Sequence, residues 1–364
     1  MYSQRVLKYG SLSVMLVGYT LDSVLVKRAT YAAYYPSALT VLAAVLGAVV
    51  YPVIVVGAFA SGKVTWAQVR VPFRDLWMPL VVSAGFSLHH VLLNVAAGKA
   101  VVPGIWILVL GKSIVPMSML LNMFSRTMGL RYDLRHWLGA LLLLGGILLT
   151  LGQDLAKSAH VAKGLASHIG NMLLIILAQL PLAASFTFIE ITLKGVLRDI
   201  FTVAFWMWVC IFQVAASLIM LPLSAGLSGS FREMWPNLGE GMLCYVAGQT
   251  PEDAPAGTDC ASACGSWWVA ILFTFAMNLA MPLSTRYGGA ALMWFVRGLA
   301  VPLTGMLFAS RFLMGLHAKN LSLAQTLGLG VVAAGVLVFN SREPHPRESC
   351  GDTAGILGSC NTDS

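Results

Sequence analysis

Apolar runs near the ~20 residues needed to cross a bilayer recur along this whole chain, at about 10–26, 36–59, 77–97, 101–124, 137–152, 169–192, 201–223, 267–285, 288–310 and 322–340. A chain patterned this way has few folds open to it besides a bundle of membrane-spanning helices. Charged residues make up only 10% of it, against roughly 25% in soluble domains. Since no soluble domain fits between the runs, one all-α integral membrane domain of ten helices is expected over 10–340. A short N-terminal segment, 1–9, precedes it. The loop of about 225–266 and a polar tail, 341–364, complete the chain, and the tail's composition predicts disorder.

Ten spans put both termini on one side. That side collects thirteen Lys and Arg residues, from Arg5 and Lys8 through Lys63, Arg126 and Arg286 to Arg347. The opposite side has eight, among them Lys27, Arg28, Arg232 and Lys319, and the last two of the 23 lie within runs. The excess of basic residues predicts cytosolic termini and a non-cytosolic 225–266 loop. Scattered over short loops, the +8 net charge sets topology and is not the footprint of a nucleic-acid partner. No signal h-region with a cleavage site is expected before the first run, and no Arg- and Ser-rich transit stretch is visible.

Three stretches of the first half return, in order, in the second. Tyr19-Thr20-Leu21-Asp22-Ser23-Val24-Leu25-Val26-Lys27 parallels Phe186-Thr187-Phe188-Ile189-Glu190-Ile191-Thr192-Leu193-Lys194. Val115-Pro116-Met117-Ser118 parallels Val301-Pro302-Leu303-Thr304, each about a turn after a basic residue. Leu138-Gly139 with Gly146-Ile147-Leu148-Leu149 parallels Leu327-Gly328 with Gly335-Val336-Leu337-Val338. The offsets are 167, 186 and 189, which divides the chain into five spans plus five. Because five is odd, the halves must be inverted, as in secondary transporters whose solute site lies between repeats. Pro116 and Pro302 would each loosen a helix beside such a cavity. The paired glycines of the fifth and tenth runs would let helices approach closely.

Asp22, Lys112, Glu190 and Arg297 stand inside apolar runs, where a charge costs at least ~2.5–3.5 kcal/mol and normally faces an interior or a water-filled path. Glu190 and Asp22 could exchange protons, or merely pair with Lys194 and Lys27 one turn on. Arg297 offers a fork and Lys112 a point charge to a carboxylate or phosphate, or either could pair with the two acids. Lys27 and Arg28 close the first span, where they could touch solute or snorkel to the interface. His89 and His90 are adjacent and point to different helix faces, so a metal site is not expected. Cys244, Cys260 and Cys264 in the long loop suggest a disulfide on an oxidising side rather than zinc, which wants a fourth ligand. Asn320-Leu-Ser322 reads as a helix start before a glycosylation site. No nucleotide-binding loop, metal-binding His motif or acidic prenyl-transfer motif is visible, so no cofactor and no ATP-driven step are expected.

These pieces together resemble the chloroquine-resistance-transporter family of the drug/metabolite transporter superfamily. The resemblance rests on Cys244…Cys260-Ala-Ser-Ala-Cys264-Gly-Ser-Trp267, Val26-Lys27-Arg28-Ala29, Ser113-Ile114-Val115-Pro116-Met117 and Ile189-Glu190-Ile191. It implies ten spans in a five-plus-five inverted repeat and a lumenal loop held by disulfides. It also implies proton-linked export of peptides, amino acids or cationic amines from an acidic vacuole; plant relatives carry glutathione and its precursor in plastids. By position it makes Glu190 a cavity glutamate, Lys27 a substrate-sensitive residue, and Cys244 with Cys264 a disulfide that leaves Cys260 over. Where the family carries acids on the third and eighth spans, this chain reads Ser87-Leu88-His89-His90 and Met277-Asn278.

The expectation is therefore a proton-coupled secondary transporter of a vacuolar or endolysosomal membrane, with the plastid envelope as the alternative. Its partners would be a small-molecule solute, protons and lipid. Asp22 and Glu190 facing Lys112 and Arg297 would suit a zwitterionic, peptide-like solute. A sugar-phosphate or nucleotide-sugar exchanger would want a more basic cavity. A polytopic membrane enzyme would want clustered catalytic residues at one membrane face.

Overall fold

The computed structural model describes residues 2–33, 35–97, 110–125, 130–161, 165–228, 234–252, 254, 257–307, 310, 323–341 and 345–346. Among them the chain is helical almost throughout. The long helices are α1 (Tyr2–Ala32), α2 (Pro36–Ala60), α4 (Trp77–Ala97), α6 (Leu134–Val161), α7 (Leu165–Lys194), α8 (Thr202–Ser228), α10 (Cys260–Gly288), α11 (Ala290–Leu307) and α12 (Leu323–Asn340). Shorter ones are α3 (Trp66–Val69), α5 (Ile114–Phe124) and α9 (Met234–Ala247). Among the described residues six helices are long and apolar enough to cross a membrane: Gln4–Thr30, Val41–Ala60, Gly170–Lys194, Thr202–Leu223, Cys260–Gly288 and Ala290–Leu307. Trp77–Leu93 joins them when taken with Trp66–Asp75, from which it bends by 78°. Leu134–Leu149 and Thr326–Asn340 are shorter apolar helices. Positions 101–109, the Asn320 sequon, Cys350 and Cys360 lie outside the described residues.

Helix ends follow local chemistry. Pro36 opens α2, where its missing N–H would be unpaired anyway. The Asp259 side chain accepts from the Ser262 N–H and starts α10. Gly248 and Gly289, at φ +68° and +86°, take the positive-φ conformation that ends α9 and separates α10 from α11.

The 225–266 region is not simply a loop, because α9 and the first turns of α10 lie within it. These turns pack against the α1–α2 connection: the Asp259 N–H donates to Ala32 O at 2.9 Å, and the Tyr245 hydroxyl donates to Ala33 O at 2.7 Å. A disulfide joins Cys244 to Cys260, which corrects the expected pairing with Cys264. Cys260 and Cys264 sit on successive turns of one helix. Cys260 is fully buried against α9, whereas Cys264 is half-exposed and free. Cys260→Ser should therefore abolish the intramolecular disulfide and cost about 2–5 kcal/mol, while Cys264→Ser leaves both unchanged. Mass spectrometry of non-reduced peptides, with thermal melts, checks this pair of outcomes.

The remaining packing is by antiparallel helix pairs. Along α1 and α10, Gly18 meets Met277 and Phe273, Asp22 meets Thr274 and Ala32 meets Asp259. Along α4 and α7, Trp77 meets Phe188, the Ser185 hydroxyl donates to Val82 O, and His89 meets Ala178. On α6 and α12, a Cβ added to Gly139 would stand 2.8 Å from Gly335 O, and one added to Gly146 would stand 2.9 Å from Gly328 O. Close approach at these glycines is what the repeated motif led one to expect. At one end of the bundle a cavity of about 410 Å³ is lined by Leu7, Lys63, Asp199 and Arg286. Arg286 there donates to Ile200 O, Thr202 Oγ1 and Arg198 O. The tail is not wholly unpaired: His345–Pro346 pairs antiparallel with Leu130–Arg131.

Candidate functional site

Three of the four charges that stand within apolar runs gather around Tyr19 of α1. Lys112 sits in a 3₁₀ turn, Gly111–Ser113, just before α5. Pro116 has no N–H to offer the Lys112 carbonyl four residues back, so the tightened turn falls at the lysine. Pro116 itself lies in the first turn of α5, which tolerates it. The Lys112 Nζ lies 5.6 Å from the Tyr19 ring centroid, and the side chain is buried. The Arg297 guanidinium lies over the same ring at 4.2 Å, and 4.9 Å from the ring of Trp294, three residues earlier on α11. Pro302 stands inside the continuous helix α11, so no break marks it.

Asp22, one turn beyond Tyr19, accepts a hydrogen bond from Thr274 of α10 and lies within electrostatic reach of Arg297. His89 and His90 also sense Arg297. The His89 Nδ1 lies 2.7 Å from Ala178 O and donates to it, so His89 packs α4 on α7 while His90 points elsewhere. The site thus unites α1, α4, α10, α11 and the turn before α5. No group of three or more His, Cys, Asp or Glu side chains gathers to hold a metal among the described residues.

Glu190 is not in this cluster, which corrects the expectation that it faces Lys112 and Arg297 beside Asp22. Its Oε1 accepts from Lys194 Nζ at 2.7 Å, and its Oε2 accepts from the Ala290 N–H at 2.7 Å. The carboxylate caps the start of α11, where the helix dipole favours an anion. Gly289 makes room, since a Cβ there would stand 3.0 Å from Oε1. Arg297 is seven residues deeper, roughly 10 Å along the axis. In the sequence parallel itself Asp22 aligns with Ile189, and Glu190 with Ser23. A one-residue offset turns a side chain by about 100° on a helix. Lys27 is exposed near the end of α1 and lies outside the cluster.

Tyr19, Trp294 and Thr274 were not expected in the site. Tyr19 precedes Asp22 by three residues, as Trp294 precedes Arg297. That spacing shares a helix face and was the available signal; for Thr274 there was none.

The family model for CRT-like, chloroquine-resistance transporter-like proteins matches residues 10–339. A chloroquine resistance transporter of Toxoplasma gondii is 29% identical over 58% of this chain and 25% of its own length. Crt homolog 3 of Dictyostelium discoideum is 24% identical over 62% of this chain and 50% of its own length. The chain therefore spans a quarter to a half of these relatives. A solved crystal structure superposes with a TM-score of 0.56 at 17% identity, over 92% of this chain and 98% of that one, a likeness of fold alone. A family match over nearly the whole chain, on a bundle of long apolar helices, shows that this chain belongs to the CRT-like, chloroquine-resistance transporter-like family.

Proposed function

We propose that this protein is a proton-coupled secondary transporter that moves small peptide-like, amino-acid, thiol or cationic solutes toward the cytosol across a vacuolar or endolysosomal membrane. The observation that carries the reading is the cluster of half-buried Tyr19, Asp22 and Arg297 with buried Lys112, placed where helices from both ends of the sequence cross. A ten-span, five-plus-five inverted repeat is supported by the glycine contacts. Gly139 meets Gly335, and Gly146 meets Gly328, which is the same contact twice under the repeat's own alignment with the helices antiparallel. The pairing of α1 with α10 likewise answers that of α7 with α4. Residues assigned to the cytosolic side gather at one end, with Leu7, Lys63 and Arg286 around one cavity. The disulfide lies at the other end, beside Ala32 and Ala33.

Glu190 fits a gate rather than a solute contact. Protonation of Glu190 would break its ion pair with Lys194 within the second half, while alternating access itself is the rocking of one half against the other around the cluster. A solute drives that motion only by binding the two states unequally. The sugar-phosphate or nucleotide-sugar exchanger gains one observation: with Glu190 elsewhere, the cluster has two cations and one acid. Uptake of labelled glutathione, a short peptide and a cationic amine into proteoliposomes, with and without a pH gradient, tests the proposal. Gradient-dependent uptake of one of them is expected. Uptake only by exchange with preloaded phosphate compounds would replace this reading with the exchanger.

A further inference from the structure

Charge at the Tyr19 cluster does not balance. Lys112, 7% exposed, and Arg297 both point to the Tyr19 ring, and among the described residues neither forms an ion pair with a carboxylate. Trp294 is also buried, and its Nε1 donor has no partner. Among the described residues the acid in reach, Asp22, already accepts from Thr274. Glu190 is spent on Lys194 and the Ala290 N–H. Among the described residues the cluster thus holds one unpartnered donor, Trp294 Nε1, and carries one more cation than anion. Buried cations without counter-ions are costly and await a partner. Arg297 lies over the Tyr19 and Trp294 rings and within hydrogen-bond reach of the Tyr19 hydroxyl, and the rest of its five-donor fork can take a planar oxyanion.

We infer that this site selects solutes with one more negative than positive charge. A carboxylate or phosphate group sits between Lys112 and Arg297 beside Tyr19, and any ammonium group turns to Asp22. This deepens the transporter reading and rests on it for the route, but not for the binding. It separates this chain's preference from that for a cationic drug, and it replaces charge neutrality as the rule for its solute.

Equilibrium binding to the full chain in nanodiscs tests the inference with glutamyl-glycine, alanyl-glycine, lysyl-glycine and glycerol phosphate. Glutamyl-glycine should bind about tenfold more tightly than alanyl-glycine, as one charge-assisted contact predicts, with lysyl-glycine weakest. Lys112→Gln and Arg297→Gln should remove the preference. Tighter binding of glycerol phosphate than of glutamyl-glycine would support the anion site and assign it to phosphate esters. Equal binding of acidic and neutral dipeptides, a preference for lysyl-glycine, or no binding at all would overturn it. Should the cation variants not fold, Asp22→Asn serves instead: it should tighten glycerol phosphate binding about threefold, and weaker binding would overturn the inference. An anion preference without any uptake would retire the transporter reading and keep the site. Uptake that favours the basic dipeptide would do the reverse.

Discussion

Gly146→Val should leave little folded protein, whereas Gly145→Val, one residue away, should melt like the wild type. A Cβ at Gly146 would meet the Val332 N at 2.8 Å and the Gly328 O at 2.9 Å. Both are backbone atoms that no rotamer change can move aside. Helices α6 and α12 would have to separate along the seam, losing the contacts of Gly139 with Gly335 as well. Overpacking in a tight core costs about 1–3 kcal/mol and occasionally more; with backbone on the far side, the upper end or beyond is expected. A Cβ at Gly145 meets nothing within 4 Å. Both variants add the same β-branched residue to the same helix, so propensity cancels in the comparison. Thermal melts and size-exclusion profiles in detergent decide it, and equal behaviour of the two would contradict the seam.

The second large effect is expected at Glu190, with Ala and Gln separating its two contacts. Glu190 is 1% exposed, but Lys194 is 39% exposed and keeps water if its partner is lost. The ion pair therefore contributes little to stability. The Ala290 N–H is different, because it lies in a buried hydrogen bond and an orphaned buried donor costs about 1–3 kcal/mol. Glu190→Ala should lose that amount, while Glu190→Gln, which keeps an acceptor, should lose well under half of it. Thermal melts of the two variants read this directly. Equal losses would mean that the charge, not the cap, holds α7 to α11.

Helices were legible wherever apolar residues ran on without relief. Thus α2, α7 and α8 lie where their runs predict, with ends extended by a few residues. Helix α9 escaped because Met234–Ala247, with Pro236 and Glu240, is too short and polar to look like a span. The paired glycines of the third motif were readable in the sequence, and they do meet in space. The cluster was half legible. Asp22, Lys112 and Arg297 announced themselves by their cost in hydrocarbon, but Tyr19, which joins them, carries no charge. Glu190 announced itself equally and belongs elsewhere, since one residue of helical offset decides which way a side chain turns. The disulfide partner was beyond reach for a similar reason: Cys260 and Cys264 differ by a single turn, and only burial against α9 chooses between them.

The most direct test of the central claim compares pH-gradient-driven uptake with solute-for-solute exchange in proteoliposomes of wild type and Glu190→Gln. If protonation of Glu190 couples the gradient to transport, the variant should lose the gradient-driven component and keep exchange. Gradient-driven uptake that survives unchanged in folded Glu190→Gln would contradict the account.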